Sequence, residues 1–181
     1  MNVLIVSTAL RVGSKTAVIA EFLHTTFEML GVSAAILDLS ASPLPLCDGG
    51  ACFNDFGVRA ATAQVRAANA VILCFPVYNH QANAAAKNFV EVTNDGWNGK
   101  VVGMIANGGT DRSFLAPLSL ANSLMVDHEC VVVPRFVFVT PSNFAADGKL
   151  AADENFTSRI SNLVRDVVHL APHWPAVATT S

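Results

Sequence analysis

The sequence predicts an α/β protein, a three-layer sandwich with five parallel strands covered by helices on both faces. Three observations carry this: short, unalternating β-branched runs, helical-period segments between them, and polar or glycine-rich loops directly after the strand-like runs. The run Val3-Leu4-Ile5-Val6 reads as a central strand, buried on both faces. A polar loop from Ser7 to Ser14 follows. From Lys15 to Leu30, Val18, Ile19, Phe22, Leu23, Phe27 and Leu30 recur at helical spacing, and Gly31 ends the pattern. Ala34 to Leu39 is the second strand. Ser40 to Gly57, rich in Pro, Gly and Ser, reads as an irregular segment long enough to be functional.

A helix from Val58 to Ala68 leads into the third strand, Ala70 to Phe75, which Pro76 is expected to end. Ala82 to Val92 reads as the third helix, Asn94-Asp95-Gly96 as a turn and Lys100 to Ala106 as the fourth strand, with Asn107-Gly108-Gly109 directly after it. Phe114 to Met125 is expected to be helical, Cys130 to Val139 a fifth strand and Glu154 to Leu170 a final amphipathic helix. Parallel neighbours need crossovers, and a helix is the usual one. Five such units fit the flavodoxin-like strand order 2-1-3-4-5, in which ligands bind outside the carboxyl ends of the strands at the switch point. Residues 1–171 are thus expected to form a single domain, with 172–181 as a loose tail.

Composition excludes several function classes. Of 181 residues, 52% are hydrophobic and 14% charged, enough for a sizeable core. The apolar runs are too short to span a bilayer, and no signal-peptide pattern precedes Val3, so the expected compartment is the cytoplasm. A net charge of −3 without a basic stripe argues against nucleic-acid binding. Cys47, Cys52, Cys74 and Cys130 show no Cys-x-x-Cys spacing and no companion histidines, so no metal site is expected. Cys74 and Cys130 read as small apolar fillers of strands. The role of Cys47 and Cys52, in the Gly-rich segment, stays open.

The loops after strands one, three and four should open at one sheet edge and meet. The first offers Ser7, Thr8, Arg11, Ser14, Lys15 and Thr16 beside the free amides of a helix start, which is chemistry suited to a phosphate. A plainer reading stands beside it, with Ser14 as a helix cap and Arg11 as a solvated charge. The second, Pro76-Val77-Tyr78-Asn79-His80, places the only tyrosine where it can lie near a flat ring or pack on a neighbouring helix. The third, Asn107-Gly108-Gly109-Thr110, offers close approach and exposed amides, although such glycines also make ordinary turns. A phosphate at one end and a ring at the other describe a mononucleotide. The missing Gly-x-Gly-x-x-Gly agrees with that.

Over Val3 to Leu170 the chain resembles the NADPH-dependent FMN reductase family. Thr8-Ala9-Leu10-Arg11-Val12-Gly13-Ser14-Lys15-Thr16 occupies the frame of that family's Gly-Ser-x-Arg-x-x-Ser-x-Asn/Ser loop; Arg11, Ser14 and Thr16 match in kind, and Thr8 and Ala9 replace its glycine and serine. Pro76-Val77-Tyr78-Asn79 is similar to its Pro-x-Tyr-Asn, Ala86-Lys87-Asn88 to its Leu-Lys-Asn, and Trp97-x-Gly99-Lys100-Val101-Val102 followed by Gly108-Gly109-Thr110 completes the pattern. The resemblance implies FMN as cofactor, NAD(P)H as electron donor, a small-molecule electron acceptor and a homodimer or homotetramer. It implies a cofactor site at Thr8, Arg11, Ser14, Lys15, Thr16, Pro76, Val77, Tyr78, Asn79, Asn107, Gly108 and Gly109, with no acid–base catalyst. Two other readings stand beside it: a flavodoxin-type one-electron carrier, disfavoured by Arg11 and the mild charge, and a cofactor-free interaction module.

Overall fold

The computed structural model describes residues 1–151 and 153–174. Strand β1 (Asn2–Ser7) leads through a loop to helix α1 (Lys15–Met29), then β2 (Ser33–Asp38), a 3-10 turn at Ala51–Asn54, α2 (Phe56–Ala67) and β3 (Ala70–Tyr78). Next come β4 (Gln81–Ala82), α3 (Ala84–Val92), β5 (Val101–Asn107), α4 (Leu118–His128), β6 (Val131–Val132), β7 (Val137–Val139) and α5 (Glu154–Leu170). The parallel sheet runs β2-β1-β3-β5-β6, with β7 continuing β6 along β5 and β4 antiparallel to the end of β3. Counting β6 and β7 as one broken strand, this is the expected 2-1-3-4-5 order.

Side-chain alternation sorts the central strands between two cores. Leu4 and Val6 of β1 and Val102, Met104 and Ala106 of β5 pack with α2, α3 and α4. Val3 and Ile5 of β1 and Val101 and Ile105 of β5 pack with α1 and α5, where Ile19, Leu23, Phe27, Ile160, Leu163 and Val167 are fully covered. The periodicity that predicts α1 thus marks its buried stripe. Leu30 falls outside the helix and is exposed, because Gly31, at φ +69°, reverses the chain just beyond it.

Three expectations need correction. Pro76 does not end the third strand, which runs on to Tyr78. The carbonyl of Cys74 accepts from Thr8 N–H on the β1 flank, and alternation turns Pro76 to that same flank, where β1 has already ended and no ladder bond is lost. The fourth helix starts at Leu118 and not at Phe114, since Pro117 at its N-cap cannot sit inside a helix; Phe114 and Leu115 are left exposed. The fifth strand is broken around Pro134: Val102 faces Val132 but Ile105 faces Val137, so three steps on β5 match five on its partner. Two inserted residues preserve the alternation, and Val133, Val137 and Val139 all stay in one core. The expected tail is a turn at its start, with His173 and Trp174 N–H donating to Leu170 O; residues 175–181 lie outside the described residues. No described helix is long and apolar enough to cross a membrane.

Candidate functional site

The carboxyl end of β1 is fixed before it meets any ligand. Thr8 is fully buried; its hydroxyl donates to Asn83 Oδ1 at 2.8 Å, and Asn83 Nδ2 donates back to Thr8 O at 2.8 Å. This clamp joins the first loop to the start of α3, and it occupies the hydroxyl that sequence reasoning assigned to a phosphate. Sequence reasoning missed Asn83. A cap-type residue ahead of an alanine-rich helix was the only local signal, and its amide reaches back across the sheet instead of capping α3.

Beyond Thr8 the loop opens. Arg11 is exposed, and Ser14 caps α1 by accepting from Ala17 N–H at 3.1 Å, which leaves the Ser14 hydroxyl proton free to donate outward. Among the described residues no protein acceptor pairs with the N–H groups of Lys15 and Thr16. The Lys15 ammonium stands 4.6 Å from the centroid of the Phe144 ring. Thr16 Oγ1 accepts from Asn107 Nδ2 over a long 3.4 Å, so the first and third loops touch.

The second loop is a tight hairpin. Asn79 and His80 have φ of +50° and +63°, and Val77 and Tyr78 pair with Ala82 and Gln81. This is a two-residue turn of the primed kind, whose twist suits the flanking strands. His80 Nδ1 lies 2.8 Å from Ser113 Oγ and pins the hairpin to the segment before α4. Tyr78 is 64% exposed, with its ring open to an incoming group.

In the third loop the two glycines differ. Gly108 N–H donates to Val139 O at 2.8 Å, so it continues the sheet and is not the exposed amide expected of it. A Cβ at Gly108 would lie 2.5 Å from Phe138 Cζ, whereas one at Gly109 would meet nothing within 4 Å.

One cleft of about 390 Å³ collects these loops. Its lining takes Arg11, Ser14, Lys15 and Thr16 from the first, Pro76, Val77 and Tyr78 from the second, and Asn107, Gly108 and Gly109 from the third. Of the expected site residues only Thr8 and Asn79 stay out. Ala9 and Pro141 join unforeseen, although Pro141 follows β7 and the rule about strand ends already pointed there. Grooves of about 470 and 460 Å³ are larger, but they lie along the flanks of α2 and α3 and offer no unpaired helix-start amides. The cysteines are outside the cleft. Cys52 is buried, and burial together with the Asp48 carboxylate pushes its thiol up, the opposite of a reactive setting. N–H groups of Cys52 and Gly50 hold Asp48 at about 2.

The sequence profile described as NADPH-dependent FMN reductase matches residues 1–144. The chain belongs to that family. It is accordingly an NAD(P)H-dependent FMN oxidoreductase. It is 25% identical over 168 residues to the NAD(P)H-dependent FAD/FMN reductase of Geobacillus thermodenitrificans (strain NG80-2), covering 90% of this chain and 89% of that one. It is also 25% identical over 170 residues to the NADPH azoreductase of Bacillus sp. (strain OY1-2), covering 93% and 89%. Among solved structures, the flavoenzyme NAD(P)H:(acceptor) oxidoreductase from Paracoccus denitrificans superposes with a TM-score of 0.76 at 19% identity, over 96% of this chain and 99% of that one. The FMN reductase cofactor suits the donor set here. Among the described residues the cleft brings together α1 amides without a protein partner, a hydroxyl, two cations, an aromatic ring and an open glycine.

Proposed function

We propose that this cleft is the FMN site, within a single domain of residues 1–171, and that the chain positions NAD(P)H and then a small-molecule acceptor over it. The Ser14 hydroxyl, the N–H groups of Lys15 and Thr16 and the Arg11 guanidinium would hold the phosphate, because a helix start and a fork of N–H donors both favour a dianion. Pro76, Val77, Tyr78 and Gly109 would flank the ring. FMN, when bound, takes up hydride from the nicotinamide and passes electrons on. The chain's own part is positioning and electrostatics: among the described residues the ionisable side chains lining the cleft are Arg11, Lys15 and Tyr78, with no carboxylate or histidine. Exposed Leu10 and Val12 beside the cleft suit cover by a second copy, in keeping with a homodimer or homotetramer, and the proposed compartment is the cytoplasm.

The observation that carries this reading is the meeting of three sequence-distant loops in one cleft that includes an unsatisfied helix start. Titration of the flavin-free protein with FMN and with riboflavin, which lacks the phosphate, tests it. Arg11→Ala should weaken FMN binding by about 1.5–3 kcal/mol while leaving riboflavin affinity and Tm unchanged. Equal losses for both flavins, or none, would overturn the phosphate assignment.

A further inference from the structure

A further cavity of about 360 Å³ lies at the free edge of the sheet, beside the break between β6 and β7, where Arg135 is exposed and Phe136 is half-buried against the core on the α2–α4 face. Phe114 and Phe138 form apolar walls, and Arg159 and Asn162, three residues apart on one face of α5, close the far side. Core packing accounts for Phe138 and for part of Phe136, but not for Phe114 or the two arginines. Phe114 is 60% exposed ahead of α4, and among the described residues neither Arg135 nor Arg159 pairs with a carboxylate. Among the described residues the lining holds two guanidiniums and no acid, so it carries an uncompensated positive charge beside the exposed Phe114 ring. Guanidinium forks recognise carboxylates and sulfonates bidentately, and phenyl rings pack against other rings. The cavity also adjoins the flavin cleft: Phe138, which lines it, packs on Gly108, which lines the cleft.

We propose that this edge cavity binds the anionic end of a planar aromatic acceptor and so holds the acceptor's reducible ring beside the flavin cleft. Its role as an acceptor site rests on the proposed function; its ability to bind aromatic anions does not. For a quinone the overall reaction is NAD(P)H plus one proton plus quinone giving NAD(P)⁺ plus hydroquinone, with the carbonyl oxygens taking two electrons and two protons in total.

Anthraquinone sulfonate and its uncharged hydroxymethyl counterpart serve as probes, with binding read by calorimetry on both flavin-free and flavin-loaded protein and turnover read by NAD(P)H consumption. The sulfonate should bind more tightly than the uncharged ring. Arg135→Gln and Arg159→Gln should each weaken it by roughly tenfold and raise its KM to match, with lysine at either position restoring part of the loss. Neither glutamine variant should change Tm, the KM for the uncharged quinone or the bleaching of bound flavin by NAD(P)H. Equal affinity for the two probes, sulfonate binding unaltered by both substitutions, or parallel loss of both acceptors would overturn the proposal. If NAD(P)H failed to bleach the flavin, the reductase reading would fall, while calorimetry on the flavin-free protein would still decide the cavity.

Discussion

Gly108 and Gly109 stand side by side and are glycines for different reasons. A Cβ on Gly108 would press on Phe138 Cζ at 2.5 Å and on Thr110 O at 3.0 Å, so Gly108→Ala should destabilise the fold by about 1–3 kcal/mol, measured by urea unfolding. Gly109 has open space at its Cβ position and no positive φ. Gly109→Ala should therefore move stability by less than about 0.5 kcal/mol, yet weaken FMN binding if the flavin ring comes as close to that backbone as the cleft allows. A fall in stability at position 109, or none at 108, would contradict this division of roles. The glycine pair was legible in sequence as a place of close approach. What approaches Gly108 was not, because Phe138 is thirty residues away and arrives only through the β5–β7 pairing.

Among the elements, α2 is closed by a residue distant in the chain. Lys100, buried at the entry to β5, donates from Nζ to Arg66 O at 2.8 Å and to Ala68 O at 2.7 Å, and so closes the carboxyl end of α2 with a cation. Burial lowers its pKa, and the two carbonyls are the hydrogen-bond partners that let the ammonium remain there. Lys100→Met should cost about 1–3 kcal/mol in a denaturant melt, since it leaves the buried carbonyl of Ala68 and the partly buried one of Arg66 without this donor. Within the Trp97-x-Gly99-Lys100 segment, sequence showed only a family pattern; the structure gives the lysine a physical task. The broken fifth strand is a similar case. Pro134 was visible inside an apolar run, but the two-residue insertion around it became visible only against the register of β5.

At the scale of the whole molecule, His128, buried where α4 ends against the chain leading into β5, should make stability sensitive to acid. Burial holds its pKa below the ordinary value near 6.5, and Lys87 pushes the same way, while Asp127, with a carboxylate oxygen 3.5 Å from Nε2, opposes them. A lowered pKa means that the unfolded chain binds the proton first. The contribution of His128 is therefore fully present above pH 6.5 and is lost as pH falls from there toward the folded value, below which it stays flat. The apparent Tm should drop as the buffer is taken from neutral toward about pH 5, and His128→Gln should flatten that part of the profile. An unchanged slope in the variant would assign the acid sensitivity to other groups.

By itself the sequence determined the sandwich, the strand order and the three loops of the cleft, because burial on two faces, helical periodicity and breaks at strand ends are local properties of residues such as Val3 to Val6 and Asn107 to Gly109. Only the tertiary structure decided that Thr8 holds Asn83 while the Lys15 and Thr16 N–H groups find no protein acceptor among the described residues, that the Gly108 amide belongs to the sheet, and that two arginines without a carboxylate partner among the described residues share a cavity at its edge with Phe114. Each of these turns on which distant partner reaches a donor or a space first, and no stretch of chain encodes that alone.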